Sequence, residues 1–304
     1  MSDTNPPVNE RSAAALAPDH GIAQRTISVR GWRLATAINT VPREALARAA
    51  LVVLPAADVT WTAYRPILEA FASERRVLAL DWLGFGASSR PAPSDFAYSA
   101  DAYATLLEPY LDALGIGRSV LLGNSVGADS AVRYALSHPN RVAGLVLVAP
   151  GGFAPSGPRR RLACRLLGTP AIAARVEPLL LSMALGPANT ATRKVLAAAR
   201  AERRERPGEW TARIAAYAAL WRSYDDPAAD LAIAAREVRA PGVVVRGALD
   251  VIVSAADAQR AADSFGPHGT LQVVLPRAGH LPFLQQPEAF LHAIRGVLAT
   301  ADAR

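Results

Sequence analysis

The sequence predicts an α/β protein in which one mostly parallel sheet is covered by helices on both faces and interrupted by an inserted helical cap. Three observations predict it. Short apolar runs rich in Val, Leu and Ile alternate with longer stretches of helical periodicity. Several of these runs are continuously apolar, as strands buried on both faces are. The alternation then stops over 151–236, where no strand pattern occurs.

Strands are expected over 26–29, 34–38, 51–54, 77–81, 120–123, 145–149, 243–246 and 271–275. Helices are expected over 64–73, 100–114, 126–137, 255–265 and 287–298. The last has Pro287 in its first turn and Phe290, Ile294, Val297 and Leu298 on one face. Residues 151–236 are rich in Ala, Leu and Arg and are punctuated by Pro158, Pro170, Pro178, Pro187, Pro207 and Pro227, a pattern of short helices with breaks. The chain thus divides into a loose tail at 1–24, a core at 25–150 and 237–304, and a helical cap at 151–236. A length of 304 residues suits one large core with an insertion.

Composition narrows the function classes. Half of the residues are hydrophobic (51%) and 19% are charged, the profile of a globular protein. The apolar runs fall short of the roughly 20 residues a spanning helix needs, so stable membrane insertion is not expected. The first 24 residues show no apolar segment behind a basic start, which points to the cytoplasm. A single cysteine, Cys164, permits no intrachain disulfide and has no neighbours at metal-ligand spacing. Net charge is +7, and 151–232 holds thirteen basic against seven acidic residues. Arg159, Arg160 and Arg161 could contact phosphates. Glu202 and Glu205 are interleaved in the later basic stretch and no recognition motif accompanies it, so a solvated face is the better reading than nucleic-acid binding. Gly84-Phe85-Gly86 lacks the third glycine of a dinucleotide loop, and no Walker A, H-E-x-x-H or paired C-x-x-C occurs. No cofactor or metal is therefore expected. Oligomeric state has no signature in the sequence.

Gly123-Asn124-Ser125-Val126-Gly127 is a G-x-S-x-G sequence that follows the apolar run Val120-Leu121-Leu122 and opens a helix. That context is the one a nucleophile elbow requires, a strand-to-helix turn so tight that the serine hydroxyl stands exposed in strained backbone. A hydroxyl is a weak nucleophile and needs a base within reach. Of the five histidines, His20 lies in the tail, His138 ends a helix, His268 precedes a strand and His292 lies inside the last helix. His280 stands in a loop just after a strand's carboxyl end, where ligand-binding residues of open α/β sheets gather. The base needs a carboxylate to fix its tautomer. Asp250 follows the strand at 243–246, whereas Asp225, Asp226 and Asp230 fall in cap sequence and suit helix capping or solvent.

These features, with the loop Asp81-Trp82-Leu83-Gly84-Phe85-Gly86-Ala87-Ser88 and the segment Gly279-His280-Leu281-Pro282-Phe283, make the chain resemble the α/β-hydrolase superfamily over nearly its whole length after the tail. The resemblance implies a triad of Ser125, Asp250 and His280, in the chain order this fold uses. It also implies an oxyanion hole from the main-chain N–H groups of Ala57 and Val126. Two positions depart from the family's pattern. Its usual His-Gly after the third strand is Pro55-Ala56 here, and a frequent Glu after the histidine is Gln285.

Trp210, Ile214, Tyr217 and Trp221 recur at helical spacing, with Tyr224 following. One reading packs this stripe on the core. The other has Trp210, Tyr217 and Trp221 roof an apolar substrate pocket. The expectation is a serine hydrolase cleaving a carboxylic ester, lactone or thioester of a hydrophobic small molecule. Two alternatives stand beside it. Gly-Asn-Ser at the elbow resembles enzymes that hydrolyse carbon–carbon bonds of dienoic ring-cleavage products, although these share a Trp where this chain has Leu281. The altered Pro55-Ala56 segment would suit a ligand-binding member of the fold that has lost turnover.

Overall fold

A computed structural model describes residues 21–266 and 270–303. Eight strands form one sheet: β1 (Ile22–Val29), β2 (Trp32–Asn39), β3 (Ala50–Leu54), β4 (Val77–Leu80), β5 (Ser119–Asn124), β6 (Val142–Val148), β7 (Gly242–Gly247) and β8 (Leu271–Leu275). Their order is β1-β2-β4-β3-β5-β6-β7-β8. β1 and β2 form a hairpin turned by Arg30 and Gly31, both at positive φ, and β2 pairs antiparallel with β4. All later pairings are parallel.

The continuously apolar runs divide their side chains between two cores. Val52, Leu54, Leu78, Leu80, Leu145 and Leu147 face one layer, while their neighbours Leu51, Val53, Val77, Ala79, Val146 and Val148 face the other. Both layers bury their contacts, so alternation survives in geometry although both registers are apolar. The first layer holds α2 (Ala100–Ala113), α3 (Val126–Ser137) and α8 (Ala255–Asp263). The second holds α1 (Arg65–Ala70), the short α9 (Pro282–Gln285) and α10 (Pro287–Asp302). Buried Phe290, Ile294, Val297 and Leu298 of α10 form the apolar face read from the sequence.

Between β6 and β7 the chain forms α4 (Pro158–Leu167), α5 (Pro170–Ala184), α6 (Thr190–Glu205) and α7 (Pro207–Ser223), and no strand is found there among the described residues. Pro158, Pro170 and Pro207 each open a helix, where the missing N–H costs nothing. Asn189 opens α6 with a capping box to Thr192. Pro178 departs from the expected punctuation and lies inside α5, whose buried stripe of Ala173, Glu177, Leu181 and Ala184 holds the helix together across it.

One boundary is corrected. Residues 22–24, assigned to the loose tail, form the start of β1 and pair with Ala37, Ile38 and Asn39. The segment is mostly solvent-exposed, so backbone pairing rather than an apolar pattern creates the strand. Residues 1–20 of the expected tail, with His20, lie outside the described residues, as does His268.

Candidate active site

The sheet reverses its direction of winding between β3 and β5, because β3 leads outward to β4 and the chain then returns to place β5 on the other side of β3. At such a switch point loops diverge from the carboxyl ends and leave a crevice. Ala57 follows β3 and Ser125 follows β5, so both border it. Asp250 follows β7 and His280 follows β8, at the same edge of the sheet.

Ser125 sits between β5 and α3 with φ 55° and ψ −116°. The glycines on either side explain how so tight a turn is built. A Cβ on Gly123 would overlap the backbone of Ala128, and one on Gly127 would overlap the carbonyl oxygen of Leu54. The first turn of α3 therefore packs directly on the ends of β5 and β3. The non-glycine residues at positive φ among those described are Arg30, Asp58, Ser125 and Ala149. The last three each follow the end of a central strand, so the strain gathers around the crevice.

Asp250 and His280 are brought together. His280 Nδ1 and Asp250 Oδ2 are 2.9 Å apart, and both residues are buried. Asp250 Oδ1 accepts the N–H groups of Ile252 (2.8 Å) and Val253 (3.1 Å), and Arg246 donates to the carbonyls of Asp250 and Val253. Burial alone would raise the Asp250 carboxyl. The charge and hydrogen bond of His280, with the two N–H groups, outweigh burial and hold it below the usual carboxylate range. The two loops pack closely because Gly247 has no Cβ to overlap the carbonyls of Ala278 and Gly279.

Ser125, Val126, Ala57 and His280 line one cavity of about 230 Å³. Ser125 Oγ and His280 are not hydrogen-bonded to each other in this structure; such contacts commonly tighten only around a substrate. Val59, Leu180, Leu181, Leu220 and Trp221 give the cavity apolar walls. Tyr217 and Trp221 of the aromatic stripe line it as well. Trp210 does not: near the start of α7, its ring is covered by the Arg203 guanidinium 4.8 Å from the centroid, and it packs on the core. For Trp210 the packing reading therefore replaces the pocket reading.

The competing residues have other partners. Asp225 pairs with Arg161 and Arg165, Asp226 caps the turn at Ala228, and Asp230 pairs with Arg260. His138 stacks on Tyr134 and pairs with Glu108, and His292 is exposed.

The sequence did not reveal the bracing role of the residues around the triad. Asn124 donates to the carbonyls of Val148 (3.0 Å) and His280 (3.3 Å), and accepts from the Tyr64 hydroxyl at 2.9 Å. That hydroxyl in turn accepts the N–H of Ala56 at 2.9 Å. One buried amide thus connects the serine turn, the histidine loop and the segment after β3. Asp81 holds that segment from another side, accepting the N–H groups of Trp61 and Ala87, while Trp82 donates to Pro55. Gln285 accepts from Gly279 and donates to the carbonyls of Leu185 and Pro187, and His280 N–H donates to Ala184 at 2.7 Å. The sequence marks Asn124 by its place in the elbow, Asp81 and Trp82 by their Gly-containing loop, and Gln285 as a departure from the family's pattern, but none of these signals names a partner.

Comparison with known proteins covers most of the chain. A model described as "Alpha/beta hydrolase family" matches residues 51–293. The chain is 42% identical over 92 residues to 2-hydroxymuconate semialdehyde hydrolase of Pseudomonas sp. (strain CF600), an alignment covering 30% of this chain and 32% of that protein. It spans about a third or less of the length of the curated relatives it matches. Among solved structures, a thermophilic esterase from Thermogutta terrifontis superposes with a TM-score of 0.72 at 22% identity, covering 92% of this chain and 99% of that one. The enol-lactonase from Burkholderia xenovorans LB400 gives 0.67 at 22%, covering 90% and 100%. At such identities the likeness concerns the fold.

Proposed function

The chain belongs to the alpha/beta hydrolase family, and from that premise we propose that it is a serine hydrolase acting on a carboxylic ester, lactone or thioester of a hydrophobic small molecule. The observation that carries the reading is a serine held at φ 55° at a helix N-terminus, sharing a cavity with a histidine whose Nδ1 is fixed by a buried aspartate. With Nδ1 committed to Asp250, Nε2 is the nitrogen left for chemistry in the cavity.

In this reading Ser125 Oγ attacks the carbonyl carbon and its proton passes to His280 Nε2. Asp250, already held as the carboxylate, stabilises the imidazolium. The N–H groups of Ala57 and Val126 hold the oxyanion, each worth about 3 kcal/mol to the transition state. His280 then gives its proton to the departing oxygen or sulfur, leaving an acyl group on Ser125. A water molecule, deprotonated by His280, releases the acid and restores the hydroxyl. The helices of residues 151–236 serve as a cap, with Leu180, Leu181, Leu220 and Trp221 around the acyl group. The cavity is smaller than the roughly 300 to 1,000 Å³ common for drug-sized ligands, which favours a compact substrate.

A second reading, carbon–carbon bond hydrolysis of a dienoic ring-cleavage product, draws on Asn124 at the elbow and on the local likeness to 2-hydroxymuconate semialdehyde hydrolase. Leu281 weighs against it. Measuring kcat/KM for a short p-nitrophenyl ester beside a 2-hydroxy-6-oxodienoate separates the two. We expect the ester to be favoured by at least about tenfold, a margin of about 1.4 kcal/mol. Preference for the dienoate would replace the first reading with the second. Tight binding of either compound without turnover would support the non-catalytic alternative.

A further inference from the structure

Asp58 directly follows the proposed oxyanion donor Ala57, and its backbone stands at φ 70°, a conformation L residues rarely adopt. Its carboxylate lies in a buried cluster. Arg213 of α7 donates from Nη1 to Asp58 Oδ1, lies 3.4 Å from Glu177 of α5 through Nη2, and 3.3 Å from Glu202 of α6 through Nε. The side chains of Arg213, Asp58 and Glu177 are all less than 5% exposed. Arg90, in the loop after β4, faces Glu202 from the other side at 3.3 Å. A single guanidinium thus joins three helices of the insertion to the one residue of the β3 loop that is forced into left-handed backbone. An exposed ion pair would contribute little, but one side of a buried cluster cannot be withdrawn without leaving its partners unpaired.

We propose that Arg213 is a positioning residue: by gripping Asp58 in its left-handed conformation it aims the Ala57 N–H into the cavity, so that oxyanion-hole geometry depends on the seating of α5, α6 and α7. The proposal rests on the serine-hydrolase reading for its catalytic meaning, while the geometric coupling stands on its own. Burial raises the Asp58 carboxyl well above its usual range and Arg213 opposes the rise. In either protonation state Oδ1 can accept from Nη1, so the grip does not depend on which carboxyl of the cluster carries a proton.

The coupling predicts non-additivity. Glycine reaches φ 70° without steric cost, so Asp58→Gly removes the need for the grip. The test compares parent, Arg213→Gln, Asp58→Gly and the double variant by kcat and KM on a p-nitrophenyl ester. Complete loss of one oxyanion donor costs about 10² to 10³ in rate, so a misaimed donor should cost about tenfold in kcat with KM within about threefold when Arg213→Gln is made in the parent. Made on Asp58→Gly, the same substitution should cost less than about twofold. Equal loss in both backgrounds would overturn the proposal and leave Arg213 as a packing residue. If Arg213→Gln does not fold, Asp58→Asn and Asp58→Ala decide. Asn tolerates left-handed backbone and still accepts from Arg213, so it should turn over at least about tenfold faster than Ala; equal rates would overturn the coupling. Amide hydrogen exchange over residues 55–60 in the same proteins keeps the question apart from the reaction. Faster exchange in Arg213→Gln than in parent supports the grip even if Ser125 proves unreactive, and unchanged exchange contradicts it.

Discussion

Asp250 and Asp81 are both buried carboxylates, and their surroundings drive them in opposite directions. Beside His280 and two N–H donors, Asp250 is held low. Asp81 accepts from Trp61 and Ala87 and feels Arg90 at longer range, but burial exceeds these and brings it up to about 6. Each direction has a consequence. Asp250→Asn should leave the circular dichroism native and lower kcat by up to about 10⁴, because an amide can hold the histidine in the wrong tautomer; a comparable loss from Asp225, Asp226 or Asp230 instead would move the carboxylate role elsewhere. For Asp81 the folded value lies above the unfolded one, so its contribution is intact below about pH 4 and is lost as pH rises through about 6. About two units correspond to about 3 kcal/mol. The stability of the parent relative to Asp81→Asn, from urea unfolding, should therefore fall between pH 4 and pH 7 by up to that amount. A difference that rises over the same interval would show that Asp81 is stabilised as the anion.

At the scale of elements, the strand–turn–helix at β5, Ser125 and α3 was legible because its demands are local. Two glycines flank a serine at alternate positions, 123, 125 and 127, between an apolar run and a helical one. Gly127→Ala distinguishes this tight turn from an ordinary helix start. Ala in place of Gly favours a helix by about 1 kcal/mol, so an unconstrained first turn would gain stability. Here the added Cβ meets the carbonyl oxygen of Leu54, which belongs to a central strand that cannot retreat. We expect net destabilisation above about 2 kcal/mol by denaturant unfolding, the cost of overpacking a rigid site; a gain would mean that α3 does not press on β3. The first strand was less legible for the opposite reason. Residues 22–24 are held by backbone pairing with β2 and display mostly exposed side chains, so periodicity had nothing to mark. Trp210 shows the same limit within α7: helical spacing correctly aligned it with Tyr217 and Trp221, but spacing along one helix says nothing of where a cavity begins and ends.

Across the whole molecule, the proposed catalytic residues were visible because each stands just past a strand, whereas the residues that hold them in register were not. Asn124 reaches the carbonyl of His280 across 156 positions of sequence, and Arg213 reaches Asp58 across 155. Such ties exist only once the sheet has set its strand order, and neither residue carries a local pattern that announces its partner. Gln285 illustrates the point: read as a departure from the family's pattern, it proves to join the histidine loop to the connection between α5 and α6. Sheet, loops and inserted helices therefore converge on one cavity, in which Ser125 is the proposed nucleophile. The most direct measurement is covalent labelling by a fluorophosphonate, read by intact mass and peptide mapping, in the parent and in Ser125→Ala. One adduct per chain is expected, located on Ser125, with both labelling and ester turnover abolished in the variant. An adduct on another residue, or a variant that hydrolyses esters as fast as the parent, would contradict that role.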